Sequence, residues 1–108
     1  MKPSILLLAI LPLASAWHLK LYKDELYENI IEDRSGTFGQ DCKNLAGTKN
    51  DKASSMKWDA GLLNKEIVLY KDKDCKEAGG ILGRSKGDWN VPRFSTQAND
   101  KVSSYKIN

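Results

Sequence analysis

The hexapeptide NDKASS occupies Asn50–Ser55, and the hexapeptide NDKVSS occupies Asn99–Ser104. They differ at one position in six and lie 49 residues apart in a chain of 108 residues. The tetrapeptide LYKD also occurs twice, at Leu21–Asp24 and at Leu69–Asp72, with an offset of 48. One inserted residue reconciles the two offsets. A repeat of this period predicts two copies of one supersecondary unit that share a core.

Each unit has the pattern of short β-strands. In His18–Tyr22 polar residues alternate with leucines, which is typical of a half-buried strand. Ile67–Tyr70 is a β-branched and aromatic run, and Val102–Ile107 is predicted as the last strand. Glycines mark turns at short spacing between these segments. The sequence therefore predicts an all-β fold with about four strands per unit, the two units packed face to face.

The first sixteen residues are predicted to be a secretory signal peptide. Lys2 precedes the apolar run Ser4–Leu13, and Ala14–Ala16 is a small-x-small cleavage site. The run is too short to span a membrane, which needs about 20 apolar residues. We expect a secreted mature domain from 17 to 108, with motif 1 at about 17–58 and motif 2 at about 65–108.

The charge pattern bears on possible partners. Lysine and arginine number 17 against 14 acidic residues, and the two signs are interspersed along the chain. A nucleic-acid-binding domain presents clustered cations, so we expect no nucleic-acid partner. The domain is expected to be a monomer, and an extracellular protein or a cell-surface target remains possible as a partner.

The chain has two cysteines, Cys42 and Cys75. An even count in a secreted protein favours one disulfide, which here would close a loop of 33 residues and link the two units. Two free thiols or a metal site are the alternatives. A zinc site is disfavoured because the chain has one histidine, and zinc ligands cluster at short spacing.

The repeated segments together resemble the βγ-crystallin domain. Tyr22–Tyr27 matches the opening hairpin pattern of that family, and Tyr70–Cys75 matches it with Cys75 at the second aromatic position. The two hexapeptides match the closing motif of the family. Asn29 and Glu77 stand where the family usually has a glycine. The resemblance covers the mature chain and implies two Greek-key motifs packed as a β-sandwich.

The resemblance also implies two calcium sites. Calcium takes six to eight oxygen ligands, which include carboxylates, carbonyls and water. The implied ligands are two carboxylates, two hydroxyls and four main-chain carbonyls: Asp51, Asp100, Ser54, Ser103, Lys52, Lys101, Glu25 and Lys73. The family builds each site from groups of both units. Asn50 and Asn99 are expected to hold the loop shape through side-chain bonds to the backbone, and Ser55 and Ser104 to pin the hairpins.

Three other interpretations compete with calcium binding. Asn-Asp and Ser-Ser are also good turn sequences, so the hexapeptides could be turns without metal. A killer-toxin-like or protease-inhibitor-like interaction protein could use the same fold without two intact metal loops. An enzyme is the least favoured class. With one histidine and two cysteines predicted to be oxidised, no catalytic residues are assigned.

Overall fold

A computed structural model describes residues 16–108 as eight β-strands and three single-turn 3-10 helices. The strands are β1 (Trp17–Asp24), β2 (Glu28–Gly36), β3 (Gln40–Asn44), β4 (Ser55–Asp59), β5 (Ile67–Tyr70), β6 (Ile81–Ser85), β7 (Trp89–Val91) and β8 (Ser104–Ile107). The helical turns are Gly47–Lys49, Lys73–Cys75 and Glu77–Gly79. Within residues 16–108, no helix has the length and apolar character needed to cross a membrane.

The strands form two antiparallel four-stranded sheets. One sheet has the order β2-β1-β4-β7, and the other has the order β3-β8-β5-β6. Each sheet therefore contains three strands of one unit and the third strand of the other unit. This is a pair of Greek-key motifs packed as a β-sandwich, which confirms the predicted fold class. The sequence predicted two units packed face to face. It did not predict that β3 and β7 each join the sheet of the other unit.

The core lies between the sheets and follows the alternation seen in the sequence. In β1, Trp17, Leu19 and Leu21 are buried while His18 and Lys20 are partly exposed. All four residues of β5 are buried, as their apolar run predicted. The core cluster also includes residues from β4, β8 and both hexapeptides: Met56, Trp58, Tyr105, Ile107, Ala53 and Val102.

The predicted strands are present, with shifted bounds. β1 begins one residue earlier than predicted and continues to Asp24, while β8 begins at Ser104 rather than Val102. The shift at β8 arises because Val102 and Ser103 belong to the hexapeptide loop, whose backbone bonds to other loops and strand ends. The predicted signal peptide, except for Ala16, lies outside the described residues.

A disulfide joins Cys42 in β3 to Cys75 in the turn after β5, as predicted, with the two Cα atoms 5.8 Å apart. Asn44 reinforces this connection. Its Nδ2 donates to Asp74 Oδ1 at 2.9 Å, and its Oδ1 accepts from the Asp74 backbone N–H at 2.7 Å. The exchanged strand of unit 1 is thus fixed covalently to the opening hairpin of unit 2.

Candidate metal centre

The two hexapeptides lie against each other and are related by an approximate two-fold axis. The backbone N–H of Asp51 donates to the carbonyl of Val102, and the N–H of Asp100 donates to the carbonyl of Ala53, both at 3.0 Å. Both aspartates have φ near 57°, in the left-handed region. Aspartate tolerates this conformation better than most residues, which explains its presence at the same position of both loops.

Each hexapeptide supplies its hydroxyl to the carboxylate of the other. Ser103 Oγ donates to Asp51 Oδ1 at 2.8 Å, and Ser54 Oγ donates to Asp100 Oδ1 at 3.3 Å. Both serines are buried, whereas both aspartates are exposed. In each pair, a buried serine hydroxyl thus lies beside an exposed aspartate carboxylate. Each pair brings a hydroxyl of one unit to a carboxylate of the other unit.

The last serine of each hexapeptide holds the opening hairpin of its own unit. Ser55 Oγ donates to the carbonyl of Asp24 at 2.6 Å and accepts from the N–H of Tyr27 at 3.1 Å. Ser104 Oγ makes the equivalent bonds to the carbonyl of Asp72 at 2.5 Å and from the N–H of Cys75 at 3.0 Å. The pinning role expected for these two serines is present in both units.

These serine clamps fix the hairpin residues predicted to supply carbonyl ligands. Glu25 lies between the two backbone groups that Ser55 contacts, and Lys73 lies between the two that Ser104 contacts. Within residues 16–108, none of the backbone hydrogen bonds in turns and loops ends on the carbonyl oxygen of Glu25, Lys52 or Lys101. They retain their capacity to bind a cation.

A second tether holds the first hairpin from the other unit. The N–H of Leu26 donates to the carbonyl of Pro92 at 2.9 Å, and Arg93 Nε contacts Glu25 Oε1 at 3.3 Å. The Glu25–Arg93 ion pair is exposed and contributes little to stability. The pair engages the side chain of Glu25, while no backbone N–H among the turn and loop bonds of residues 16–108 donates to the carbonyl of that residue.

Two expectations for the loop residues need correction. Among the described residues, the side chains of Asn50 and Asn99 make no hydrogen bond to the backbone, and Asn50 Oδ1 is buried without a partner. The loops are shaped instead by the reciprocal bonds of Asp51 and Asp100. Their fourth residues, Ala53 and Val102, are fully buried and pin the loops to the core. An apolar residue at the same position of both copies was the sequence signal for this role.

A buried carboxylate adjoins the loops and was missed in the sequence. Glu32 in β2 is 6% exposed, accepts from Tyr105 Oη at 2.6 Å and contacts Lys49 Nζ at 3.4 Å. Lys49 precedes the first hexapeptide, and Tyr105 follows the second. Burial, together with the bond to Glu32, raises the pKa of the Tyr105 hydroxyl, which keeps this group a proton donor. No sequence pattern marked Glu32, because the β2 segment contains several acids.

The donor set restricts the metals that fit. Each cross-pair offers one carboxylate and one hydroxyl, both of them oxygen donors. No cluster of three or more histidine, cysteine or acidic side chains suited to a metal occurs within residues 16–108. Imidazole and thiolate ligands favour transition metals, whereas calcium takes oxygen ligands, namely carboxylates, carbonyls and water, in flexible geometry. The chemistry of the donors fits calcium.

Comparisons with solved structures identify the fold. A βγ-crystallin domain from Clostridium beijerinckii is 21% identical, with a TM-score of 0.58 over 83% of this chain and 95% of that chain. A βγ-crystallin domain from Flavobacterium johnsoniae is 28% identical, with a TM-score of 0.55 over 83% of this chain and 92% of that chain.

A third structure comes from work on the evolution of the eye lens βγ-crystallin domain fold. It is 21% identical, with a TM-score of 0.63 over 84% of each chain. No protein-family model matches the sequence, and no curated protein matches it significantly. The likeness therefore rests on the three-dimensional arrangement of the strands and covers nearly all of the described residues.

Proposed function

We propose that this chain, a domain with the βγ-crystallin fold, is a secreted, non-catalytic calcium-binding protein with one site at each hydroxyl–carboxylate pair. Asp100 and Ser54 would hold one ion, and Asp51 and Ser103 would hold the other. Carbonyls of Glu25, Lys52, Lys73 and Lys101 would complete the two oxygen shells. The observation that carries the proposal is the reciprocal pairing of the two hexapeptides.

The pairing supports a binding role over a purely structural one. A turn needs no contact with a second turn 49 residues away, yet both loops place a buried hydroxyl beside an exposed carboxylate of the other. A cation at each pair would draw on groups that the fold already holds in place. Preorganisation of this kind lowers the cost of ordering ligands on binding.

The expected affinity is modest. Each site has one carboxylate, and extracellular calcium modules bind at roughly 10⁻⁴–10⁻³ M. Magnesium demands near-octahedral geometry and gives up water reluctantly, so it should bind much more weakly. A clostrillin double mutant, in which two serines are changed to histidine, has been solved in complex with nickel. That structure shows a metal on the engineered relative and does not identify the metal for this chain.

The test is calcium titration of the mature protein, residues 17–108, by isothermal calorimetry and by thermal unfolding. A ligand that binds only the native state at tenfold excess over Kd stabilises it by about 1.4 kcal/mol per site. In 10 mM calcium the two sites together should therefore raise the melting temperature by about ten degrees or more relative to chelator, since about 1 kcal/mol moves a small domain by about 4–8 °C.

Two variants make the experiment specific. The double variant Ser54→Ala/Ser103→Ala should lose the calcium response. Ser95→Ala, an exposed serine just before the second hexapeptide, should keep it. Identical melting curves for the wild-type protein in chelator and in 10 mM calcium would mean that the hexapeptides are turns without a metal role.

A further inference from the structure

A cleft opens between the two sheets along the side where the edge strands β6 and β7 lie. Its volume is about 290 Å³. The apolar residues that line it come from β5, β6, β7 and the connection after β7: Leu69, Leu82, Trp89, Val91, Phe94 and Ala98. We refer to the space that they enclose as the interlayer cleft. Four of them pack against the hydrophobic core while remaining partly exposed, so the cleft is an opening in the core itself.

On the opposite side of the sandwich, along β2 and β3, polar side chains join the two sheets. Glu32 in β2 is 6% exposed and accepts from Tyr105 Oη in β8 at 2.6 Å. Lys49 Nζ lies 3.4 Å from the same carboxylate. Because β2 and β8 belong to different sheets, these three side chains form a bridge between the layers.

The counterpart of Glu32 in the second unit is Gly83. Leu21 pairs with Glu32, Leu69 pairs with Gly83, and in both units the register shifts at the next residue. A Cβ at position 83 would lie 2.7 Å from Cη2 of Trp89. The indole ring therefore lies against the backbone of β6 where the first unit has a buried carboxylate.

The other two bridging residues also have apolar counterparts. The offset of 49 between the hexapeptides aligns Lys49 with Ala98 and Tyr105 with Met56. The side chains of alanine and methionine cannot reproduce the ion pair and the hydroxyl hydrogen bond of the first unit. The polar bridge is thus missing from the side of β6 and β7, and the interlayer cleft lies in its place.

Backbone hydrogen bonds fix the chain that forms one wall of the interlayer cleft. The N–H of Phe94 donates to the carbonyl of Ser54 at 2.9 Å. The N–H groups of Ala98 and Asn99 both donate to the carbonyl of Ser95, at 3.0 and 2.8 Å. A ligand would therefore meet a wall that is already formed, as in most small-molecule sites, and little of the chain would have to be ordered on binding.

The size and the charge of the interlayer cleft indicate the class of ligand. An engineered cavity of about 150 Å³ holds one benzene molecule, so a volume of about 290 Å³ suits two fused rings. Among the described residues that line the cleft, Arg93 alone is charged, and its Nε already contacts Glu25 Oε1 at 3.3 Å. Trp89 and Phe94 offer ring faces and edges to an aromatic ligand.

A protein partner fits the interlayer cleft less well, because a stable protein interface buries about 800 Å² on each side and the cleft has room for little more than one large side chain. We propose that the interlayer cleft binds a small, uncharged aromatic compound of about two fused rings.

The test is an NMR titration of isotope-labelled protein, residues 17–108, with 2-naphthol. Chelator is present throughout, so the result does not depend on calcium. The dissociation constant should be on the order of 10⁻⁴–10⁻³ M, as expected for a ligand of about eleven non-hydrogen atoms. The amide signals of Gly83, Trp89 and Ala98 should shift, whereas those of Glu32 and Lys49 on the bridged side should not.

A charged analogue tests the chemistry of the ligand. The compound 2-naphthoate has the same rings and a carboxylate, and it should bind at least about fivefold more weakly because its charge would lose water without gaining a free cation. Tighter binding of 2-naphthoate than of 2-naphthol would contradict the assignment of an uncharged ligand.

Variants that fill the interlayer cleft test its location. Ala98→Leu should weaken 2-naphthol binding by about tenfold or more, and Ala98→Val by a smaller factor. The melting temperature of both variants should stay level or rise, since filling a cavity commonly stabilises a protein, and this separates loss of binding from loss of fold. The matched control is Ala46→Leu, at an exposed alanine in the equivalent connection of the first unit, which should leave binding unchanged.

The absence of signal shifts up to about 2 mM 2-naphthol, above the expected dissociation constant, would overturn the proposal. So would unchanged binding by both Ala98 variants. Shifts of the same signals on raising the protein concentration without 2-naphthol would also contradict it, because a second copy of the chain would then occupy the interlayer cleft.

Discussion

The cross-pairing of hydroxyl and carboxylate makes a residue-specific prediction about coupling. Ser54→Ala and Asp100→Asn act on the same pair, so their effects on calcium affinity should be less than additive. Ser54→Ala and Asp51→Asn act on different pairs and should be closer to additive. Calorimetric titration of the three single variants and of the two double variants, Ser54→Ala/Asp100→Asn and Ser54→Ala/Asp51→Asn, measures this difference. Strong coupling between Ser54 and Asp51 instead would mean that each site is built within one hexapeptide.

The buried carboxylate of Glu32 makes a second prediction, about stability. Tyr105→Phe removes a hydrogen bond to a buried charge and should lower the free energy of unfolding by about 1–3 kcal/mol. Tyr70→Phe is the matched control. Tyr70 is also a buried tyrosine, at 3% exposed, but its hydroxyl has no hydrogen-bond partner among the described side chains, so the change should cost much less.

Urea unfolding of both tyrosine variants checks this second prediction. The double variant Tyr105→Phe/Glu32→Met should recover part of the loss, because an apolar pair leaves no unpaired charge in the core. Equal stability of Tyr105→Phe and the wild-type protein would show that Glu32 is adequately stabilised by Lys49 alone.

At the scale of elements, the disulfide fixes β3 to a sheet otherwise made by unit 2. Closing a loop of 33 residues contributes roughly 3–4 kcal/mol in the chain-entropy model. Cys42→Ser/Cys75→Ser should therefore lower the melting temperature by ten degrees or more, at about 4–8 °C per kcal/mol. Reduction of the wild-type protein should have the same effect.

Mass spectrometry after alkylation without reductant checks the premise of the disulfide prediction. No thiol should be modified in the purified oxidised protein. If both cysteines are alkylated, or if reduction leaves the melting temperature unchanged, the bond contributes nothing to the fold.

The opening hairpins have backbone conformations with positive φ that the sequence did not predict. Asn29 stands where the family usually has glycine, and it adopts φ of 60°, a left-handed conformation that asparagine tolerates. The residues aligned with each other at the two hairpin tips also share positive φ: Leu26 with Asp74, and Tyr27 with Cys75. The serine clamps impose this conformation through long-range bonds, so local propensity gave no indication of it.

At the scale of the whole molecule, neither unit has a complete sheet of its own. The separate fragments 17–64 and 65–108 should therefore lack a cooperative thermal transition, because each would leave a three-stranded sheet without its fourth strand and without the opposite layer. Circular dichroism of each fragment checks this. A cooperative transition in either fragment as a monomer would show that the units fold independently.

The sequence predicted most of the fold because its main features are repeated. Two copies of LYKD and of the hexapeptide established the register of the units, and the alternation in β1 identified the core face. The exchange of β3 and β7 was not predictable, since Gln40–Asn44 and Trp89–Val91 are short and carry no mark of the sheet they join. The family resemblance implied that each site draws on groups of both units, but it did not say which serine meets which aspartate, and the pairing of Ser54 with Asp100 required the structure.

The exchange of third strands gives the connection between the units a role beyond linkage. Residues 60–66 hold two halves together that would otherwise complete their sheets only by association in solution. A short tether converts that encounter into an intramolecular event with an effective concentration in the millimolar range. Assembly of the sandwich, and with it the meeting of the two hexapeptides, is therefore insensitive to dilution. A single copy of the repeat would reach the same architecture only as a homodimer, whose population falls as the protein is diluted.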